Sequence, residues 1–178
     1  LLGCHSNDIA ITHNTTEGFN ILAHGLKLNK KHEVLFSSLN HAGASMSWYG
    51  LSKTKNFKVR SFEFPIHSIN KMKKNDIINI YNSQIKRNTK VLVLPHIDNI
   101  VGLRHPVNEL AREVKNLGVE YVFVDGAQSL GMVSIDLKES QIDAYSMSPH
   151  KWLQAPKGTG LFYVNKNLRD IIPKMWYK

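Results

Sequence analysis

The stretch KVLVLPHIDNIVGLRHPVNELAREVKNLGVEYVFVD, residues 90–125, decides the fold class of this chain. It opens with one continuous apolar run, Lys90–Leu94, and closes with another, Glu120–Val124, as strands buried on both faces do. Between the two runs, Pro106 suits the first turn of a helix and Gly118 suits its C-terminal stop. A strand, a helix and a strand in this order predict two parallel strands joined by a crossover helix.

The same alternation continues on both sides of this unit. Further strands are predicted at Asp8–Thr12, Glu33–Ser37, Phe57–Phe64, Ala144–Met147 and Leu161–Val164. Further helices are predicted at Thr15–Leu26, near Ala44–Lys53, at Asn75–Ile85 and from Pro106 to about Asn116. Strands and helices that alternate in this way predict an α/β fold, in which a mostly parallel sheet lies between two helix layers (α/β/α).

The composition is that of a globular protein, because 42% of the 178 residues are hydrophobic and 21% are charged. The single cysteine, Cys4, excludes an intrachain disulfide framework and a multi-cysteine zinc site, and no metal site is predicted. No apolar run is long enough to span a bilayer, and no signal-peptide pattern opens the chain. These features favour a soluble protein in a reducing compartment, so we expect a cytoplasmic location and no membrane partner.

The chain is basic, with 23 Lys and Arg against 14 Asp and Glu and a formal net charge of +9. Its lysines are scattered along the sequence, and no aromatic-interleaved basic stripe accompanies them. This distribution favours a solvated surface, so a nucleic-acid partner is not expected. A nucleic-acid-binding α/β domain remains an alternative that salt-sensitive binding would support.

A polar segment follows each of five predicted strands. These segments are Asn14–Glu17, Asn40–His41, His96–Asn99, Asp125–Gln128 and Ser148–Lys151. In open α/β sheets, ligands bind beyond the carboxyl ends of the strands. The five segments are therefore the candidate functional site.

The residue types in these segments suit a phosphorylated aromatic aldehyde. Lys151 carries an amine that can attack a carbonyl, and Asp125 can pair with a cationic ring nitrogen or with a metal. The helix that begins at Thr15 offers backbone N–H groups and hydroxyls to an anion. Each feature also has a structural interpretation: a surface lysine, a turn-forming aspartate and a plain helix cap. Together they match the requirements of pyridoxal 5'-phosphate (PLP).

At these residues the sequence resembles the class V aminotransferase family, a group of fold-type I PLP enzymes. The most specific segments are VFVDGAQSLG (Val122–Gly131) and SPHKWLQAPKGTGLFYV (Ser148–Val164), and 26 residues separate Asp125 from Lys151. Supporting segments, in the family's order, are NTTEGFN (Asn14–Asn20), NHAGASMSW (Asn40–Trp48) and PHIDNIVGLRHPV (Pro95–Val107). The resemblance implies the large-domain fold of these enzymes.

The resemblance also implies a role for each candidate residue. Lys151 would form the Schiff base with PLP and then move the Cα proton of an amino-acid substrate. Asp125 would pair with the pyridine nitrogen, and Gln128, with Asn99 nearby, would contact the 3-hydroxyl oxygen. His41 would stack on the ring and is also a catalytic candidate. The phosphate would be held by Thr15, Thr16, Ser148 and His150.

Within the family, the HKWLQAPKGTGLFYV stretch is most similar to isopenicillin N epimerase-like proteins. A cysteine desulfurase or lyase is the alternative. We expect residues 1–178 to be part of the PLP-binding large domain, with an N-terminal segment and a small C-terminal domain outside this chain. The substrate-carboxylate arginine and any catalytic cysteine are expected in that C-terminal part, and the full protein is expected to be a homodimer. A protein that keeps the cofactor without turnover is a further alternative.

Overall fold

A computed structural model describes residues 1–172 of the chain, and these residues form one seven-stranded sheet with helices on both faces. The strands are β1 Ile9–Thr12, β2 Glu33–Ser37, β3 Lys58–Phe62, β4 Thr89–Pro95, β5 Tyr121–Asp125, β6 Ala144–Met147 and β7 Gly160–Val164. The helices are α1 Thr15–Gly25, α2 Ala42–Lys55, α3 Lys74–Gln84, α4 Val107–Asn116 and α5 Lys166–Arg169. Two 3₁₀ turns lie at Ser6–Asp8 and Ile66–Lys71.

The sheet is mostly parallel, as the sequence predicts. Its strand order is β1-β7-β6-β5-β4-β2-β3, and every neighbouring pair is parallel except the two that involve β7. Parallel pairing requires crossover connections, which α2, α3 and α4 supply between β2 and β5. The predicted crossover unit at residues 90–125 is therefore confirmed as β4, α4 and β5.

Two helix layers cover the sheet, one on each face. Strand β4 shows how the sequence divides between them, because its side chains alternate along the strand. Val91 and Val93 pack with α1 and α2, whereas Leu92 and Leu94 pack with α3 and α4. All four side chains are fully buried. A strand buried on both faces is continuously apolar, which is why KVLVL lacks the polar alternation of an exposed strand.

The structure differs from the sequence prediction mainly at short elements. Strand β3 is shorter than the predicted Phe57–Phe64, although both terminal phenylalanines are buried beyond the ladder. Helix α5 was not predicted, because it is a single turn that buries only Leu168 and shows no apolar repeat. None of the helices within residues 1–172 has the length and hydropathy required to cross a bilayer.

The connections reverse direction between β2 and β4, which are neighbours in the sheet. After β2 the chain crosses outward to β3 through α2, whereas after β4 it crosses through α4, on the opposite face, to β5. Such a reversal separates the connecting loops and leaves a crevice at the carboxyl ends of the strands. The polar segments that follow β2, β4, β5 and β6 meet at this edge.

Candidate functional site

A narrow cleft lies at the carboxyl ends of the parallel strands. Five of the predicted site residues line it, namely His41, Asn99, Asp125, Gln128 and Lys151. The remaining lining residues are Pro95, Ile97, Asp98 and Ala127. Residues from four separate loops therefore share one space, although up to 110 positions separate them in the sequence.

Asp125, the last residue of β5, is a buried acidic residue of this cleft and is 6% exposed. Its Oδ1 accepts a hydrogen bond from the Ala127 N–H at 2.9 Å. Burial raises the pKa of Asp125, and the Ala127 N–H and the charges of Lys151 and His41 partly offset that rise. A buried carboxylate that is incompletely compensated favours a cationic partner. A protonated ring nitrogen is such a partner.

The loop after β5 is held by a chain of buried hydrogen bonds. Ser129 Oγ donates to the Gly126 carbonyl at 3.1 Å, and the Tyr145 hydroxyl lies 2.5 Å from Ser129 Oγ. His96 Nδ1 lies 2.6 Å from the same Tyr145 hydroxyl. Each contact in this chain can be a hydrogen bond if His96 Nδ1–H donates to the Tyr145 hydroxyl and the Tyr145 hydroxyl donates to Ser129 Oγ. The network fixes the loop that carries Asp125 and Gln128.

Gln128 has a specific partner from the loop that follows β6 and carries Lys151, here called the lysine loop. The indole N–H of Trp152 donates to Gln128 Oε1 at 2.8 Å. The sequence predicts that Gln128 donates to a ligand, but it does not predict this contact, because 24 positions separate the two residues. The position of Trp152 directly after Lys151 is the only sequence signal that bears on it.

The loop that carries Asn99 is organised by its neighbour Asp98, which is 2% exposed. The Asp98 carboxylate accepts hydrogen bonds from the backbone N–H groups of Ile100, Val101 and Leu103, each at 2.8 Å. These bonds close the loop and leave Asn99 exposed at the rim of the cleft. Asp98 is thus a structural residue that the sequence interpretation did not single out.

Lys151 lies in the turn after β6, where its backbone N–H donates to the Ser148 carbonyl at 3.0 Å. The flanking His150 and Trp152 suggest a partly enclosed lysine, but Lys151 is exposed among the described residues. The reason is geometric, since Lys151 stands at the open rim of the cleft and Asp125 at its floor. The amine is therefore accessible to a carbonyl compound from solvent.

His41 lies at the rim of the cleft and also caps α2. Its Nδ1 accepts a hydrogen bond from the Gly43 N–H at 3.0 Å, so the neutral ring carries its proton on Nε2. A Cβ atom at Gly43 would clash with Thr16 Oγ1 and would lie 3.1 Å from His41 Nδ1. Glycine at position 43 therefore allows the first turns of α1 and α2 to approach each other.

The predicted anion site lies where α1 begins, next to the lysine loop. Thr15 Oγ1 is 2.8 Å from Ser148 Oγ, which also accepts the Thr15 N–H at 3.1 Å. Asn14 caps Glu17 N, and no hydrogen bond among residues 1–172 occupies the Thr16 N–H. If the Thr15 hydroxyl donates to Ser148, the Ser148 hydrogen is free to reach an anion. This arrangement suits phosphate.

His150 is placed differently from the other predicted phosphate ligands. Its Nδ1 lies 3.0 Å from the Thr159 carbonyl and donates to it. In the neutral ring Nε2 is then an acceptor, so it can donate to a phosphate only when the imidazole is protonated. His150 thus bridges the lysine loop and the start of β7.

The donor set fits PLP in each of its parts. The cleft provides an accessible amine, a buried carboxylate with a spare oxygen and an amide, and the adjoining cradle provides hydroxyls at a helix start. Within residues 1–172, the Asp125 carboxylate accepts a hydrogen bond only at Oδ1, from the Ala127 N–H. Its Oδ2 is left for a ligand. The lysine turn connects the two groups of residues, because the Lys151 N–H donates to the Ser148 carbonyl.

The chain is similar to enzymes of three kinds. It is 30% identical over 93% of its length to a probable cysteine desulfurase of Pyrococcus abyssi and 29% identical over 91% to the isopenicillin N epimerase of Amycolatopsis lactamdurans. It also matches the structure of the cystine C–S lyase C-DES in complex with cysteine persulfide, with 26% identity and a TM-score of 0.84. That match covers 94% of this chain and 44% of the other.

The chain spans about 40% of the length of the two curated relatives. The family model described as aminotransferase class-V matches residues 1–177, which is nearly the whole chain. Together with the mostly parallel sheet, this match shows that the chain belongs to the class V aminotransferase family.

Proposed function

We propose that the protein is a PLP-dependent enzyme that acts at the Cα atom of an amino acid, with the cofactor attached to Lys151. The observation that carries the proposal is the convergence of Lys151, Asp125 and Gln128 on one cleft beside the Thr15–Ser148 cradle. These groups come from three different loops, and together they match the chemical requirements of PLP.

Bound PLP supplies an electron sink that makes the Cα–H bond of an attached amino acid acidic. Asp125 keeps the ring nitrogen protonated, because a buried carboxylate is stabilised by an adjacent cation. Gln128 and Asn99 would contact the 3-hydroxyl oxygen of the ring. Thr15, Thr16 and Ser148 would hold the phosphate, with His150 beside them.

We assign roles in the reaction to two residues at the rim of the cleft. Lys151 Nζ would accept the Cα proton of the substrate as a general base. His41 would stack on the ring, and its Nε2–H is the hydrogen that it can offer. Because Lys151 is exposed among the described residues, the substrate reaches it without rearrangement of this loop.

Two reaction types are open, and we place isopenicillin N epimerase-like chemistry first. The HKWLQAPKGTGLFYV stretch supports it, as does the similarity to the Amycolatopsis enzyme. A cysteine desulfurase or C–S lyase is the second candidate, supported by the Pyrococcus relative and the C-DES structure.

A desulfurase also needs a nucleophilic thiol at the cleft. Cys4 is not among the cleft residues and instead packs against the core on the α3 and α4 face. Burial raises the pKa of its thiol, which makes it a poor nucleophile. A thiol for that reaction would have to come from outside residues 1–172. We also propose that the full-length protein is a homodimer.

Borohydride trapping tests the cofactor assignment. The full-length protein incubated with PLP should absorb visible light, and reduction should fix the pyridoxyl group on the peptide that contains Lys151. The K151A variant should lose the label, whereas K157A, which removes an exposed lysine six positions away, should retain it. A colourless protein, or a label on another lysine, would overturn the proposal.

Product analysis then separates the two reaction types. L-Cysteine and a panel of other L-amino acids would be incubated with the full-length protein, and sulfide, persulfide and D-enantiomers would be measured. Sulfur release from cysteine supports the desulfurase or lyase. Inversion at Cα without sulfur release supports the epimerase.

A further inference from the structure

We propose that Trp152 is a positioning residue that fixes the orientation of the Gln128 amide in the cleft. This inference rests on the proposed function and adds to it a residue that no predicted role includes. Its basis is the 2.8 Å hydrogen bond from Trp152 Nε1 to Gln128 Oε1.

The chemistry of the two groups selects one orientation of the amide. The indole nitrogen is a donor only, whereas a glutamine amide has one accepting end and one donating end. If the amide turned over, its NH₂ group would face the indole N–H and both donors would lack an acceptor. With Oε1 bound to Trp152, the NH₂ group is the half of Gln128 left for a ligand oxygen.

Trp152 is not positioned by burial, since 51% of the residue is exposed. Its backbone, however, is held against the turn that follows Gln128. At Gly131, where φ is +91°, a Cβ atom would lie 3.0 Å from both Trp152 C and Leu153 N. Glycine at this position therefore lets the two loops touch, and the indole is presented to Gln128 from a braced backbone.

A consequence follows for the cofactor. Lys151 and Gln128 face the same cleft, and Trp152 follows Lys151 directly in the sequence. The lysine loop thus supplies both the amine and the group that orients the amide opposite it. The loss of the indole N–H should leave the fold intact and free the amide to rotate.

A double-mutant cycle tests this inference in the full-length protein. We expect W152F to weaken PLP binding about three- to tenfold, as the loss of one oriented hydrogen bond would. It should also shift the pH midpoint of the visible absorption of the bound cofactor. Q128A should have a similar effect, and W152F should add nothing in the Q128A background. L153A, which alters the neighbouring half-exposed side chain, is the matched control and should match the wild type.

A second measurement does not depend on the cofactor. In the cofactor-free protein, Q128A should shift the indole N–H resonance of Trp152 and speed its exchange with solvent. An unmoved resonance, or a W152F effect that persists in full in the Q128A background, would overturn the inference. Wild-type protein that binds no PLP would instead overturn the proposed function, so the two failures are distinguishable.

Discussion

Asp125 is the residue at which charge and burial are most sharply opposed. It is almost fully buried, and its pKa is raised chiefly by desolvation, so a cationic ring nitrogen beside it would remove a large cost. D125N keeps the size of the side chain and the acceptor for Ala127 N–H, but it removes the charge. We expect the rate of Cα-proton exchange to fall about 10²–10³-fold, as when a preorganised electrostatic group is removed. Proton NMR of candidate amino acids in D₂O would measure it.

The control for this substitution is D136N, which changes an exposed aspartate on the segment that follows the same strand. It should exchange the Cα proton at the wild-type rate. If D125N retained full activity, Asp125 would not be the partner of the ring nitrogen.

His105 is a second residue whose surroundings predict a measurable effect. It is 1% exposed, and neither ring nitrogen has a hydrogen-bond partner within residues 1–172. Its ring meets the edges of Phe64 and Tyr81, and burial lowers its pKa to about 4. The unfolded chain, with an ordinary histidine pKa near 6.5, binds more protons than the native state between these pH values. Stability should therefore fall as the pH drops from about 6.5 to about 4.

H105F removes this titration while keeping a ring in contact with Phe64 and Tyr81. At pH 5 we expect the free energy of unfolding of H105F to be about 1–2 kcal/mol higher than that of the wild type, so that the variant is the more stable protein. Part of the pH dependence should remain, because burial also lowers the pKa of His96 to about 4. Urea unfolding between pH 4 and pH 7 would measure both slopes. Equal slopes in the two proteins would refute a neutral buried His105.

At the scale of the element, helix α1 depends on a glycine that a helix would not otherwise favour. A Cβ atom at Gly18 would clash with Ser146 Oγ and would lie 2.9 Å from Phe162 Cδ2, so α1 lies tightly against β6 and β7. G18A should destabilise the protein by about 1–3 kcal/mol despite the better helix propensity of alanine. The helix start that carries Thr15 would shift with it.

Gly50 in α2 offers the matched control, since it is exposed and a Cβ atom there meets nothing within 4 Å. G50A should stabilise the protein by about 0.5–1 kcal/mol, because alanine loses less backbone entropy in a helix. Thermal unfolding of both variants gives the comparison. If G18A and G50A both raised the unfolding temperature, helix propensity, and not the close approach to β6, would decide the outcome at Gly18.

Elements with a clear local signal were predictable from the sequence. Helix α4 was marked by Pro106 and Gly118 at its ends, and β4 by an uninterrupted apolar run. Helix α5 was not, because one turn with a single buried leucine has no period to detect. The Trp152–Gln128 contact was also hidden, since it depends on how two loops pack and not on either loop alone.

At the scale of the whole molecule, the location of the candidate site was predicted by a topological rule. Parallel strands place their carboxyl ends at one edge, so polar residues after β2, β4, β5 and β6 had to gather there. Their fine geometry did not follow. The His150 ring is turned to the Thr159 carbonyl and Lys151 is exposed, and both facts depend on the paths of neighbouring loops. Sequence periodicity does not encode these paths.

One ligand that touches loops from across the sheet should stabilise the whole molecule. PLP at one hundred times its dissociation constant would add about 2.7 kcal/mol to the free energy of unfolding. For a domain of about 150–250 residues that amounts to a rise in Tm of about 5–10 °C, and a longer chain should show a smaller rise. Pyridoxal, which lacks the phosphate, should give a much smaller rise, because the Thr15–Ser148 cradle stays empty. Differential scanning calorimetry of the full-length protein would measure both shifts.

The variant T15V separates the cradle from the rest of the site, because it removes one buried hydroxyl and keeps the shape of the side chain. It should reduce the Tm shift produced by PLP and leave the smaller shift produced by pyridoxal unchanged. T54V, at the exposed end of α2, removes a hydroxyl far from the cradle in the sequence and should change neither shift. If PLP and pyridoxal stabilised the wild type equally, the phosphate would not lie at the start of α1.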